Sequence, residues 1–426
     1  MLVIPEVCYG NDSSSGHLIG GSVETKADES IQKRFDLAER EEVVITVSDL
    51  QLADGPDNPL EDFPYDQHFA DFLALLLKTY PRVKVLRLRL LGDTFEPQAV
   101  KYKGRYFAPS TERVGVAKIK KIFQGHPVFI KALVYFLSFS HTLVDFLDGN
   151  HDLCLIWPKV QELIRDRLSQ GDQLIAQRIQ FISQTSAGQH DYRDVVYTHG
   201  HNAELSTKVH HGQEIITHHR GRKLKEPILN EPIGSYMSML LVNQLKLRNR
   251  VVDRTRRERE TWIYSALYRV GWGFQAGYFL ISRFIYARFF AHWHCRKTCH
   301  FFKWLWIALK TLGKYRVDRH AYNLLKTLPD RIKALVCAHT HRARQRKFAY
   351  GIYFNTGTWS LTYAIVYRPG IPFWKKVLLL EKPILVPVKR FTFAQVDYYK
   401  NGRCRPGLME FDSDHHRIIP FVDSDF

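Results

Sequence analysis

An α/β fold is what this sequence predicts, and two observations carry the prediction. Short β-branched runs alternate with stretches whose apolar residues recur at helical spacing. Five of those runs end in a small cluster of Asp, Asn or His. Strand ends gathered at one edge of a sheet are where α/β proteins place their chemistry. The length, 426 residues, suits one large domain with an insertion, or two domains. With 45% hydrophobic and 24% charged residues, the composition excludes a disordered chain, a collagen and a coiled coil.

Residues 1–40 are polar and rich in Ser, Gly and Glu, and are expected to form a loose arm. Residues 43–47 form a β-branched strand that ends in Ser48-Asp49. Residues 66–80 place Phe69, Phe72, Leu73, Leu76 and Leu77 on one helical face, and Pro81 stops the helix. A second strand, 83–91, ends at Gly92-Asp93. A basic loop and an apolar helix near 128–141 lead to a short strand ending at Gly149-Asn150-His151-Asp152. Residues 158–168 are helical. Strands at 194–198 and 334–338 end at His199-Gly200-His201 and His339-Thr340-His341, and 353–359 and the apolar runs after 362 are further strands.

The formal charge is +18, and it sits in one place. Residues 201–350 hold 29 Lys and Arg against 9 Asp and Glu, a net of +20, while the rest of the chain nets −2. Within that stretch, residues 261–317 contain no acid, nine basic residues and five of the eight tryptophans. Aromatic and basic side chains without acids suit an anionic lipid surface or a nucleic-acid backbone. The longest uncharged apolar runs are 13–14 residues, short of the roughly 20 needed to span a membrane. Six cysteines in no dense framework, and no basic region before the first apolar residues, set a cytoplasmic expectation, peripheral at the inner face of a membrane.

The strand-end residues Asp49, Gln51, Asp93, Asn150, His151, His199, His339 and His341 make a mixed oxygen and nitrogen donor set. Such a set suits two divalent cations rather than a thiolate site, and two close ions need a carboxylate to bridge them.

Ser48-Asp49-Leu50-Gln51, Gly92-Asp93, Gly149-Asn150-His151-Asp152, His199-Gly200-His201 and His339-Thr340-His341, followed by Asn355-Thr356-Gly357-Thr358-Trp359, resemble the motifs of the calcineurin-like metallophosphoesterases. The resemblance covers about 42–200 and 330–370. It implies two facing mixed β-sheets flanked by helices, with a two-metal site at the strand ends. By motif position, Asp93 bridges both ions, Asp49, Gln51 and His341 hold the first, and Asn150, His199 and His339 hold the second. His151 stays off the metals and faces the leaving group, with Glu96 as its orienting partner. The implied reaction is hydrolysis of a phosphoester or pyrophosphate bond by metal-activated hydroxide, with Mn²⁺ first among the candidate ions and Mg²⁺, Fe²⁺ or Zn²⁺ as alternatives. Gln51 departs from the family's Asp-x-His and makes a weaker donor than imidazole; it alone favours a binding homologue without catalysis. Asp152 and His201 are expected to support the site rather than ligate.

The expected organisation is an arm at 1–40, core at 41–201, a helical basic-aromatic cap at 202–330 and core again at 331–426. Gly92-Asp93-Thr94-Phe95-Glu96 also resembles the capped UDP-diacylglucosamine pyrophosphatases, which carry Gly-Asn-Arg-Asp and His-Gly-Asp where this chain has Gly149-Asn150-His151-Asp152 and His199-Gly200-His201. A membrane-associated or lipid-linked phosphate on an anionic membrane surface is the leading substrate reading, and a nucleotide or nucleic acid the alternative. His292, Cys295, Cys299 and His300 come near zinc-ligand spacing, although buried thiols beside histidines are the commoner arrangement.

Overall fold

The computed structural model describes residues 39–182, 190–204, 206–209, 212–219, 221–248, 254, 282, 317–366, 369–372 and 384–422. Most of the acid-free stretch 261–317, and with it the His292/Cys295/Cys299/His300 cluster, lies outside the described residues, as does nearly all of the expected N-terminal arm.

Four layers build the core. Strands β1 (Arg40–Val47), β2 (Val85–Leu91), β3 (Thr142–Leu147) and β4 (Ile179–Ile182) run parallel and side by side. Two short hairpin-linked pairs follow, β5 (His190–Tyr192) with β6 (Val195–Tyr197) and β7 (Ile215–His219) with β8 (Arg222–Leu229). Next come β9 (Ala334–Cys337), β10 (Arg344–Phe348), β11 (Gly351–Asn355), β12 (Thr362–Val366) and β13 (Ile384–Val388). The chain closes with β14 (Phe391–Tyr399), β15 (Cys404–Asp412) and β16 (Arg417–Pro420). One sheet has the order β16-β15-β14-β1-β2-β3-β4, the other β10-β11-β9-β6-β5. Both are mixed, because β14 joins β1 antiparallel while β11, β9 and β6 are parallel.

Alternation in β1 and β2 assigns the faces. Val43, Ile45, Val47, Leu86, Leu88 and Leu90 pack under the helices α1 (Asp66–Thr79), α2 (Glu112–Gly125), α3 (Pro127–Leu137) and α4 (Pro158–Ser169). Val44 and Leu91 face the second sheet through Tyr197, Val336 and Phe354. Helix α5 (Val317–Thr327) covers that sheet's far side with Ala321 and Leu325. Between the sheets, Arg87 and Arg89 of β2 share Asp145 at 2.9 and 2.8 Å, and Arg87 also meets Glu42 at 2.9 Å, so these buried cations are paired.

Three expectations need correction. The basic loop before α3 contains α2, whose N-terminus is capped by Thr111 Oγ1 accepting from Val114 N. Its polar look is misleading, because Lys118 is buried with Nζ donating to the carbonyls of Pro97 and Tyr106. The strand expected over 353–359 stops at Asn355, since Gly357 takes φ +74° and Asn355 Oδ1 accepts from Gly357 N to turn the chain. The inserted stretch, expected as helical, opens with the β7–β8 hairpin before turning helical at Ile233–Met237. Among the described residues no helix is long and apolar enough to cross a membrane.

His126 fixes the loop that follows the first strand-end motif. Its ring lies 2.8 Å from Asp66 and 3.0 Å from Glu61, and Glu61 also accepts from the backbone of Ala53 and Gly55. Burial disfavours its charged form, but hydrogen bonds to Asp66 and Glu61 outweigh that and raise its pKa to about 9. The raised value stabilises the fold by about 3 kcal/mol below the unfolded-state pKa near 6.5, and that contribution fades as pH rises through 9. Urea midpoints measured between pH 6 and 10 should therefore fall more steeply for the wild type than for His126→Gln. Parallel curves would remove His126 as the cause.

Candidate metal centre

Each strand of the two sheets that ends at the shared edge turns abruptly, and the turn presents a polar side chain. Asp49, Gln51, Asp93, His339 and His341 all have positive φ, between 50° and 73°. That region is costly for residues with a Cβ, by about 1–3 kcal/mol each, and is retained where the surrounding structure imposes it. Here the loops impose it on one another. Asp49 N donates to Gly92 O and Gln51 N to Asp93 O, while Ala338 N donates to His199 O. Two glycines are steric necessities. A Cβ at Gly149 would stand 2.1 Å from Asp93 Oδ1, and one at Gly92 would stand 2.7 Å from His199 Nδ1.

The two carboxylates are oriented alike. Asp93 Oδ1 accepts from His151 N at 2.9 Å, and Asp49 Oδ2 accepts from Ser48 Oγ at 2.6 Å and His339 N at 3.1 Å. The remaining oxygens turn inward, toward imidazole nitrogens. Asp93 Oδ2 is 3.1 Å from His199 Nε2 and 4.0 Å from His151 Nε2; Asp49 Oδ1 is 3.3 Å from His341 Nε2 and 4.0 Å from His199 Nε2. Gln51 Nε2 lies 3.1 Å from His341 Nε2, so its amide ends at the same point. Donor atoms of Asp93, His199 and His339 lie within 4.8 Å of one another.

His199 donates Nδ1–H to Leu91 O at 2.9 Å, which leaves Nε2 as the inward-facing nitrogen. Asp49 Oδ1 and Asp93 Oδ2 are buried with imidazole nitrogens as their facing polar groups, and Asn150 Oδ1 is buried and receives no hydrogen bond. Burial alone would raise both carboxylates, yet the facing His199 and His151 hold Asp93 well below the usual carboxylate range, and His199 and His341 lower Asp49. For His199 the burial penalty is outweighed by Asp93 and Asp49, which lift it to about 9. Buried inward carboxylate oxygens converging with imidazole nitrogens are the donor set of a divalent cation site. The residues present fit that role.

No family model matches the chain, and no curated protein does. Among solved structures it is similar to a dimetal phosphatase from Danio rerio. The identity is 10% and the TM-score 0.32, over 87% of this chain and 96% of that one. A likeness of that size decides nothing about chemistry.

His151 and Glu96 stand at the rim of the same cluster. His151 Nδ1 contacts Glu96 Oε2, and the ring's Nε2 points toward Asp93. Asn150 is held by its carbonyl, which accepts from Gln98 Nε2 at 3.1 Å and Ser235 Oγ at 3.3 Å. Asp152 takes backbone N–H bonds from Gly149, Thr94 and Phe95 and so staples two of the loops together; burial and the nearby Asp93 raise its pKa to about 7. Three residues outside the expected ligand set support the site, and of these only Glu204 carries no sequence signal. Thr358 Oγ1 donates to Asp49 O at 2.6 Å, Asn355 Nδ2 donates to Ala338 O at 2.8 Å, and Glu204, from the insertion, places Oε2 3.6 Å from His339 Nε2.

Proposed function

We propose that this chain is a binuclear metal-dependent phosphoesterase. The observation that carries the reading is the pair of buried carboxylates, Asp49 and Asp93, each with one oxygen tied to the protein and the other turned toward His199, His341 or His151. In this reading Asp93 serves both ions, with Asp49, Gln51 and His341 holding one and Asn150, His199 and His339 the other. Bound ions, Mn²⁺ foremost, supply an activated nucleophile and neutralise charge on phosphate oxygens. The chain's own residues do the rest. Glu96 holds Nδ1 of His151, which leaves Nε2 to deliver a proton to the departing oxygen.

A membrane-associated or lipid-linked phosphate is the substrate reading supported by the charge of +20 over residues 201–350. The insertion's first part reaches the site, where Ser235 Oγ donates to Asn150 O and Asn243 Nδ2 to Gln98 O, and Lys246 and Arg254 tie it to the core through buried Asp62. The class is tested by reconstituting pure protein with Mn²⁺ and offering a phosphate monoester, a phosphodiester and a lipid-linked pyrophosphate. Hydrolysis of at least one, abolished by chelation, is expected; no turnover of any would sink the enzyme reading. Co-sedimentation with phosphatidylserine vesicles, at an affinity falling steeply with salt, is the expected sign of surface binding. Tight single-stranded DNA binding without vesicle pelleting would put nucleic acid in its place.

A further inference from the structure

Strand β10 is the edge of the second sheet, and it begins three residues beyond His341, at the rim of the metal centre. Helix α5 lies against it. Asp318 pairs with Arg344 at the start of the strand and accepts from the Tyr353 hydroxyl at 2.9 Å, while the Tyr322 ring meets Phe348 edge-on at 5.3 Å. Side chains alternate along a strand, so Arg346 shares the α5 side with Arg344 and Phe348. On α5, Arg319, Tyr322 and Lys326 follow one another at helical spacing and share one stripe. Tyr350, in the turn after β10, closes the row 6.2 Å from Tyr322.

Tyr322 is 39% exposed and Tyr350 46%. Arg319, Lys326 and Arg346 are exposed too, and none of them forms an ion pair among the described residues. Residues 317–350 hold eight Lys and Arg against two Asp and Glu, and Asp318, one of the two, is committed to Arg344. Cations without partners beside amphipathic rings call for an anionic surface that also accepts apolar groups. A bilayer and a single nucleic-acid strand both fit that description, and the ring geometry separates them. Successive bases stack on open ring faces. Here Tyr322 and Tyr350 stand at 63° to each other, and Tyr322 and Phe348 at 74°, so the rings offer no parallel platforms. Exposed tyrosines flanked by Lys and Arg suit the headgroup level of a bilayer. Helix α5 also continues directly from the acid-free stretch 261–317.

We infer that the α5–β10 face, through Arg319, Tyr322, Lys326, Arg346 and Tyr350, docks the protein on an anionic bilayer. The inference rests on the membrane-associated substrate reading and names the face that meets the membrane. A bilayer held there lies beside the rim of the metal centre, where a lipid-linked phosphate has to arrive.

The test measures co-sedimentation of the full chain with phosphatidylcholine vesicles, with and without phosphatidylserine, beside binding to single-stranded DNA. Wild type is compared with Arg319→Gln/Lys326→Gln/Arg346→Gln. A control for net charge, Lys120→Gln/Lys131→Gln/Lys159→Gln, removes three exposed cations from α2, α3 and α4 instead. Wild type should pellet only with vesicles that contain phosphatidylserine. The patch variant should bind them about 10–100-fold more weakly, and the control should match wild type. Tyr350→Ser should weaken binding by about 3-fold or more and leave its salt dependence unchanged. Pelleting that both triple variants weaken equally would reduce the effect to net charge and overturn the docking face. Pelleting that the patch variant leaves unchanged would move docking elsewhere and keep the membrane reading. No pelleting of wild type would overturn both, and single-stranded DNA binding lost in the patch variant would then give the face to nucleic acid.

Discussion

Asp93→Ala is expected to strip both metal ions from the protein and to abolish measurable phosphoester hydrolysis. Asp93 is fully buried at the point where the two groups of candidate ligands meet, with Oδ1 fixed by His151 N and Oδ2 turned to His199 and His151. A bridging carboxylate contributes to both ions at once, and its loss leaves neutral imidazoles and one amide pair to hold them with Asp49 alone. Metal-assisted charge stabilisation is worth several kcal/mol, so the rate should drop by about 10³-fold or more. Elemental analysis after Mn²⁺ loading should approach two ions per chain for wild type and none for the variant. Asp93→Asn, which keeps the shape and the oxygen but not the charge, should also lose metal, separating charge from packing. One tightly held ion that survives Asp93→Ala would remove the bridging role and leave a mononuclear site.

What the sequence makes legible here is local. The helical face of Phe69, Phe72, Leu73, Leu76 and Leu77 is buried as its spacing predicts, because a single amphipathic stripe has one way to meet a sheet. The candidate site residues stand out for the same kind of reason, since each follows an apolar strand with a polar residue that has no structural excuse there. Their convergence, by contrast, depends on pairing across hundreds of residues: Asp49 and His341 lie 3.3 Å apart through a sheet order no local pattern encodes. Helix α2 escaped because Lys118, polar by type, packs as an apolar stem capped by two carbonyls. Gln98 and Glu204 were equally silent, being lone polar residues in stretches with no repeating pattern. The positive φ at five candidate site residues is the feature that periodicity most misjudges, since bulky residues are ordinarily read as unstrained.

His151→Ala should separate catalysis from metal binding. The imidazole is 18% exposed, its Nδ1 rests on Glu96, and its Nε2 is the nitrogen aimed toward the inward oxygen of Asp93, 4.0 Å away. The contact that supports Asp93 comes from the backbone N–H of residue 151, which alanine retains. Metal content should therefore stay at the wild-type level, while kcat falls by about 10²–10⁴-fold, the usual range for a general acid. The size of the loss should track the leaving group. An alkoxide needs the proton, whereas nitrophenolate departs without it, so alkyl esters should suffer far more than nitrophenyl esters. Glu96→Gln acts one step further back: it keeps the residue's size but gives Nδ1 an amide in place of a carboxylate, and about a 10-fold loss is expected, with the same dependence on leaving group. If His151→Ala slows good and poor leaving groups equally, His151 holds the substrate rather than protonating it. If the variant instead loses metal, His151 belongs to the metal site, and the proton must come from elsewhere.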